Sequence, residues 1–270
     1  MKPFVARLVQ RPLGLLLMGL TLLVACVAQP PAGGEREIRT ESDQTGAERR
    51  ARVRLELAAA YFARGQANTA LDEIKLALVA KADLPEAFNL RGLIYGSMGE
   101  LPLAEQSFQR ALQMAPRDGD TLHNYAWFLC QQRRFDDADV QFAAALTAPQ
   151  YTEVPRSWLA RGVCQARAGR WQDAERSLGR SFELDPSSPT TAFSYAEVLY
   201  RRGEYERARF YVRRINGQPD QSNAQSLWLA ARIERRIGNL PAVEDFGRQL
   251  RERFPDSAEA LQLQRGQFDD

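Results

Sequence analysis

A period of 34 residues constrains this chain more than any single motif. Between residues 85 and 118, Gly92, Tyr95, Gly99, Ala104, Phe108, Ala111 and Pro116 occupy positions 8, 11, 15, 20, 24, 27 and 32 of one unit. Small residues recur at the same offsets along the chain, which divides it into six units at about 51–84, 85–118, 119–154, 155–188, 189–222 and 224–257. Ala58, Ala126, Gly162, Ala196 and Ala231 match Gly92; Ala70, Ala138, Ala174 and Ala208 match Ala104. The match weakens in the sixth unit, where Val243 replaces the alanine, as expected of a terminal unit.

The residue types carry a physical meaning. Small side chains at positions 8 and 20 let two helices of one unit approach closely. Aromatic or branched residues at 11 and 24 fill the layer between units. Glycine at 15 closes the first helix in a left-handed backbone conformation, and proline at 32 stops the second. In the third unit Arg133 stands where the other turns have glycine. A helical hairpin of this length cannot bury its apolar face alone, so it must stack on copies of itself. The expected fold is all-α, a right-handed superhelical solenoid of about six helix-turn-helix units over residues 47–270. The period and these signature positions are those of tetratricopeptide repeats.

The first residues read differently. Lys2, Arg7 and Arg11 precede an apolar stretch over 13–24 that is too short to span a bilayer and of the length of an export signal. It ends in Leu23-Val24-Ala25-Cys26, which resembles the lipobox of bacterial lipoproteins. That resemblance implies a signal peptide over 1–25 and acyl chains on Cys26; the absence of aspartate at Val27 implies the outer membrane. Residues 26–46 hold Pro30-Pro31, Gly33-Gly34 and mixed charges, a composition that cannot bury enough surface to order itself. They are expected to tether the solenoid, about 20 residues spanning about 25 Å root-mean-square.

Composition narrows the function. The net charge of +2 includes three positive charges in the signal, so nothing points to nucleic acid. The adjacent arginines Arg201-Arg202 and Arg235-Arg236 read as solvated helix faces. His123 is the only histidine, which excludes a histidine-rich metal site. It lies seven residues from Cys130 on one expected helix, about 10 Å along the axis, too far for proton transfer. Asp136, Asp137 and Asp139 open a second helix and complement its dipole. No catalytic constellation and no cofactor site emerge, so the chain reads as a non-enzyme. Cys130 and Cys164 occupy positions 12 and 10 of adjacent units; that two-residue difference points their Cβ atoms apart, so two half-buried free thiols are expected rather than a bridge.

In folds of this type the first helices line a concave face. The positions expected there hold Leu55, Ala59, Phe62, Asn89, Leu93, His123, Trp127, Leu159, Val163, Phe193, Tyr200 and Trp228, with Cys130, Arg232 and Arg235 beside them. Such an apolar, aromatic list on an accessible surface suggests a groove for a peptide of another protein.

The combination of signal, lipobox cysteine, tether and six units resembles the type IV pilus biogenesis/stability lipoproteins, the PilF/PilW-type pilotins. Asn124-Tyr125-Ala126-Trp127-Phe128-Leu129, Arg134-Phe135-Asp136-Asp137-Ala138, Ala196-Glu197-Val198-Leu199-Tyr200 and Phe254-Pro255-Asp256-Ser257 carry the similarity. It implies a lipid-anchored partner of secretin subunits that promotes their outer-membrane localisation and multimerisation. The alternative is another envelope repeat lipoprotein that scaffolds outer-membrane protein assembly or cell-wall enzymes. Cys130 and Cys164 are not required by the resemblance.

Overall fold

The structure, a computed structural model, describes residues 45–268. The signal, the lipobox Cys26 and nearly all of the tether lie outside the described residues. Thirteen α-helices and no strand occur among those described. Twelve pair as hairpins: α1 (Gly46–Ala63) with α2 (Ala67–Ala80), α3 (Pro85–Ser97) with α4 (Leu101–Met114), α5 (Gly119–Gln131) with α6 (Phe135–Leu146), α7 (Val154–Arg167) with α8 (Trp171–Leu184), α9 (Pro189–Arg201) with α10 (Tyr205–Asn216), and α11 (Ala224–Ile237) with α12 (Leu240–Arg253). A shorter α13 (Ala258–Gln264) packs on α11 and α12.

Local chemistry sets the helix ends. Thr45 and Asn223 form capping boxes with Glu48 and Ser226, and Asp118, Ser188 and Ser257 accept hydrogen bonds from backbone amides three residues on. The turn between paired helices takes a positive φ each time, at Gly65, Gly99, Gly169, Gly203 and Gly238. Arg133 takes φ 60° at the equivalent place, so the turn persists without glycine at a cost in backbone strain. Close approach also proves necessary: a Cβ added to Gly92 would lie 2.7 Å from the Phe108 ring.

Each second helix packs both on its own partner and on the first helix of the next unit, and adjacent first helices also touch. The stack is therefore an all-α solenoid. Its buried layer repeats with the chain: Ala104, Phe108 and Ala111 are matched by Ala138, Phe142 and Ala145 one unit on, all essentially inaccessible. Dispersion and apolar burial along this layer hold the units together.

Charge adds a second repeating bond that the sequence reading missed. In the second to fifth units the residue directly after the packing alanine of the second helix reaches the next unit; in the first, Leu71 stands there instead. Glu105 accepts from the Tyr125 hydroxyl at 2.7 Å and from Arg134 at 2.7 Å. Asp139 takes a two-pronged bond from Arg161, 2.9 Å at both oxygens, and one from Gln165. Glu175 pairs with Arg202 and Arg207. In the fifth unit the sign reverses: Arg209 follows Ala208 and grips the buried Glu234 of α11 at 3.0 Å on each oxygen, joined by Arg213 and Asn239. Burial pushes the Glu234 carboxyl up, but the bonds from Arg209 and Asn239 outweigh it and hold it below the usual carboxylate range. Two expectations are thereby corrected. Asp139 binds Arg161 rather than merely facing the helix dipole, and Arg202 is an inter-unit partner rather than a solvated charge. Both depend on which side chain the next unit presents.

Candidate partner-binding groove

The first helices bring part of the expected strip together. Phe62 of α1, Leu93 and Asn89 of α3, Trp127 of α5 and Val163 of α7 are half-buried, neither core nor fully solvated. Phe62, Leu93, Asn124 and Trp127 line one cleft of about 310 Å³, floored by Phe108 and Phe128. Gly92 and Gly96 admit the cleft there because they have no side chain. Asn124 Nδ2 donates to the side-chain Oδ1 of Asn89 at 3.2 Å, linking neighbouring helices along the strip. The Arg167 guanidinium lies 4.9 Å above the Trp127 ring, a geometry that orients the indole and leaves a positive charge beside it.

A second cleft, about 530 Å³, continues the face with Val163, Arg167, Trp171, Glu197, Val198 and Arg201. Five of these were missed in the concave reading: Trp171 belongs to a second helix, Arg167, Glu197 and Arg201 are polar, and Val198 stands at position 10 of its unit, which is not among the groove positions. A sequence signal existed: Phe135, Trp171 and Tyr205 each stand two residues after the turn residue, an aromatic position that recurs. Leu55, Leu159 and Phe193 pack against the core from partly buried positions, and Ala59 is exposed.

Three expected groove residues are not on an open surface. His123 is 4% exposed; its Nδ1 meets the Ser157 hydroxyl at 2.7 Å, and the Tyr151 hydroxyl meets the same oxygen at 2.7 Å. The extra residues between α6 and α7 make this possible, because they fold Tyr151 back over Gly119. Burial, with Arg156 nearby, lowers the imidazole to about 4, so His123 is neutral. Tyr200 is 7% exposed, under Arg232 at 4.8 Å and against Tyr205. Trp228 is 6% exposed, covered by Phe268.

The cysteines are joined. Cys130 of α5 and Cys164 of α7 form a disulfide with Cα atoms 5.8 Å apart, and both are buried. The expectation of two free thiols is overturned, and by the very offset that suggested it. Side-by-side parallel helices face each other with opposite sides. At 100° per residue, a shift of two positions turns a side chain by about half a circle, toward the neighbour.

Comparison with known proteins follows this geometry. Tetratricopeptide repeat models match residues 85–118, 126–189 and 165–233. The type IV pilus assembly protein PilF of Pseudomonas aeruginosa is 27% identical over 250 residues, covering 93% of this chain and 95% of that protein. The crystal structure of PilW, a type IV pilus biogenesis factor, superposes with a TM-score of 0.73 at 27% identity, over 79% of this chain and 97% of that one. The solved PilF of P. aeruginosa gives 0.72 at 25%, over 82% and 100%. This chain is a PilF/PilW-type tetratricopeptide-repeat protein. Tetratricopeptide-repeat proteins bind protein partners, and among the described residues no group of three or more His, Cys, Asp or Glu could hold a metal. YrrB, a tetratricopeptide-repeat protein with an unusual peptide-binding site, shares the fold with a TM-score of 0.58 at 16% identity, over 71% of this chain and 97% of that one.

Proposed function

We propose that this PilF/PilW-type protein of type IV pilus biogenesis is an outer-membrane lipoprotein acting as a pilotin, a scaffold that binds secretin subunits and promotes their localisation and multimerisation. Acylated Cys26 anchors it, facing the periplasm, and residues 26–46 tether the solenoid to the membrane. The observation that carries the reading is the open apolar strip of Phe62, Leu93, Trp127 and Val163 on a chain alike to PilF over 93% of its length. A disulfide between α5 and α7 suits an oxidising compartment such as the periplasm.

The strip offers what an amphipathic or extended segment needs. Trp127 and Phe62 supply large rigid anchors, Asn89 and Asn124 supply amide groups for a backbone, and Arg167 supplies charge at the rim. A photo-crosslinking residue placed at Leu93 or Val163 in cells tests the reading. Capture of the secretin supports it; capture of an outer-membrane assembly factor or a cell-wall enzyme instead replaces it with the alternative scaffold. Cys26→Ala tests the anchor: a processed variant that still fractionates with the outer membrane removes the lipoprotein part.

A further inference from the structure

The first helices change charge part-way along the stack. The last residue of α1, α3 and α5 is Ala63, Ser97 and Gln131; the last residue of α7 and α9 is Arg167 and Arg201. All five stand at the same position of their units, 34 residues apart. A cation at a helix C-terminus complements the dipole, but α1, α3 and α5 end without one, so the dipole does not demand it. Other arginines of the fourth and fifth units, Arg161, Arg170, Arg202 and Arg207, each pair with a carboxylate. Arg167 and Arg201 are exposed, and among the described residues neither meets a carboxylate; Arg167 stands over the Trp127 ring at 4.9 Å.

Both arginines line the second cleft, about 530 Å³, whose apolar side is made by Val163 of α7, Trp171 of α8 and Val198 of α9. Trp171 is 37% exposed, so an indole is open to a partner beside two guanidinium groups that hold no carboxylate. Glu197 is the acidic group of the cleft; it stands one turn before Arg201, and no ion pair joins them. Two positive charges against one negative leave the cleft basic. α7 and α9 touch along this face. Packed helices lie about 8–10 Å apart, a distance that an extended segment covers in about three residues at about 3.3 Å each.

We infer, on the basis that the first-helix face is the partner groove, that the second cleft recognises side-chain carboxylates of the docked protein segment. The segment seats an apolar side chain against Trp171 and Val163 and offers acidic residues about three positions apart to Arg167 and Arg201. The groove then selects its partner in two parts, an apolar one from Phe62 to Trp127 and an acidic one from Arg167 to Arg201, with Arg167 at the junction. Guanidinium–carboxylate bonds supply the register that an apolar strip alone lacks. Glu197 repels the same carboxylates and holds the affinity down.

The test selects a display library of random dodecapeptides on the immobilised full chain and on its Arg167→Gln, Arg201→Gln variant. Wild type is expected to enrich peptides in which apolar residues are accompanied by Asp or Glu; the variant is expected to keep the apolar preference and lose the acidic one. The strongest acidic peptide, fluorescein-labelled and read by anisotropy, should bind about tenfold more weakly to Arg201→Gln and more tightly to Glu197→Gln, and its affinity for wild type should fall with added salt. Arg201→Gln carries the test by itself should the double variant lose its helical circular dichroism. Apolar peptides without acidic enrichment overturn the inference and leave the groove standing. Enrichment of Lys and Arg, which assigns the cleft to Glu197, overturns it as well, as does an acidic preference that survives both substitutions. Failure of wild type to enrich any peptide removes the groove and this cleft with it.

Discussion

Cys130 and Cys164 join the two first helices that carry the centre of the groove. The bridge lies one helical turn beyond Trp127 on α5 and next to Val163 on α7, with Cα atoms 5.8 Å apart. It fixes the separation between α5, which lines the first cleft, and α7, which lines the second, and it closes a loop of 34 residues.

Removing the bridge should cost stability through the unfolded state. Loop-closure entropy for this length gives about 3–4 kcal/mol. The double variant Cys130→Ala, Cys164→Ala should unfold at a clearly lower urea concentration than oxidised wild type. Equal midpoints for oxidised and reduced wild-type protein would show that the bridge contributes nothing.

Arg133 holds a left-handed backbone conformation, φ 60°, that glycine adopts freely at the other turns. Arg133→Gly should stabilise the protein by about 1 kcal/mol, because the strain of a side chain in that region outweighs the added freedom of glycine in the unfolded chain. Thermal melts read the effect; a lower midpoint would mean that the arginine side chain contributes more than its backbone loses.

His123 makes stability depend on pH in a defined direction. Its folded pKa is about 4, below its ordinary 6.5, so between these values the unfolded chain binds a proton that the folded chain refuses. Stability is therefore complete above about pH 6.5 and falls as pH drops toward 4, by about 2 kcal/mol at pH 5. Urea titrations at pH 7 and pH 5 measure the loss, and His123→Gln should flatten it. Carboxylates such as Glu234, whose folded pKa is lowered, lose their contribution only below the ordinary carboxylate range of about 4.5, outside the upper part of this window.

Ala104 is inaccessible and sits where α4 meets its neighbours. Ala104→Leu should overpack that layer and cost about 1–3 kcal/mol. An unchanged melt would show slack in the layer that the buried surface does not indicate.

Trp127 is the test of the groove. Truncation of a central aromatic anchor costs about 2 kcal/mol in binding, near thirtyfold in affinity. Trp127→Ala should weaken partner binding in a pull-down while export continues. The melt is measured alongside: binding lost with the melt retained marks a contact residue, equal loss of both marks core, and undiminished binding by a folded variant refutes the groove at its centre.

The period of Gly, Ala and Pro determined the fold class, because each signature position answers a local demand. Gly99 closes a turn, Pro116 stops a helix, and Gly92 and Ala104 permit close approach, all within one unit. What the sequence could not decide was everything that depends on the next unit or on segments far along the chain. Cys130 and Cys164 meet because neighbouring helices present opposite sides, a relation invisible while each helix is considered alone. Asp139 and Glu234 are paired because Arg161 and Arg209 arrive from adjacent units. His123, Tyr200 and Trp228 occupy first-helix positions like Trp127, yet Ser157 and Tyr151, Arg232, and Phe268 cover them. Periodicity assigns a residue to a face of its helix; only tertiary packing decides whether that face remains open.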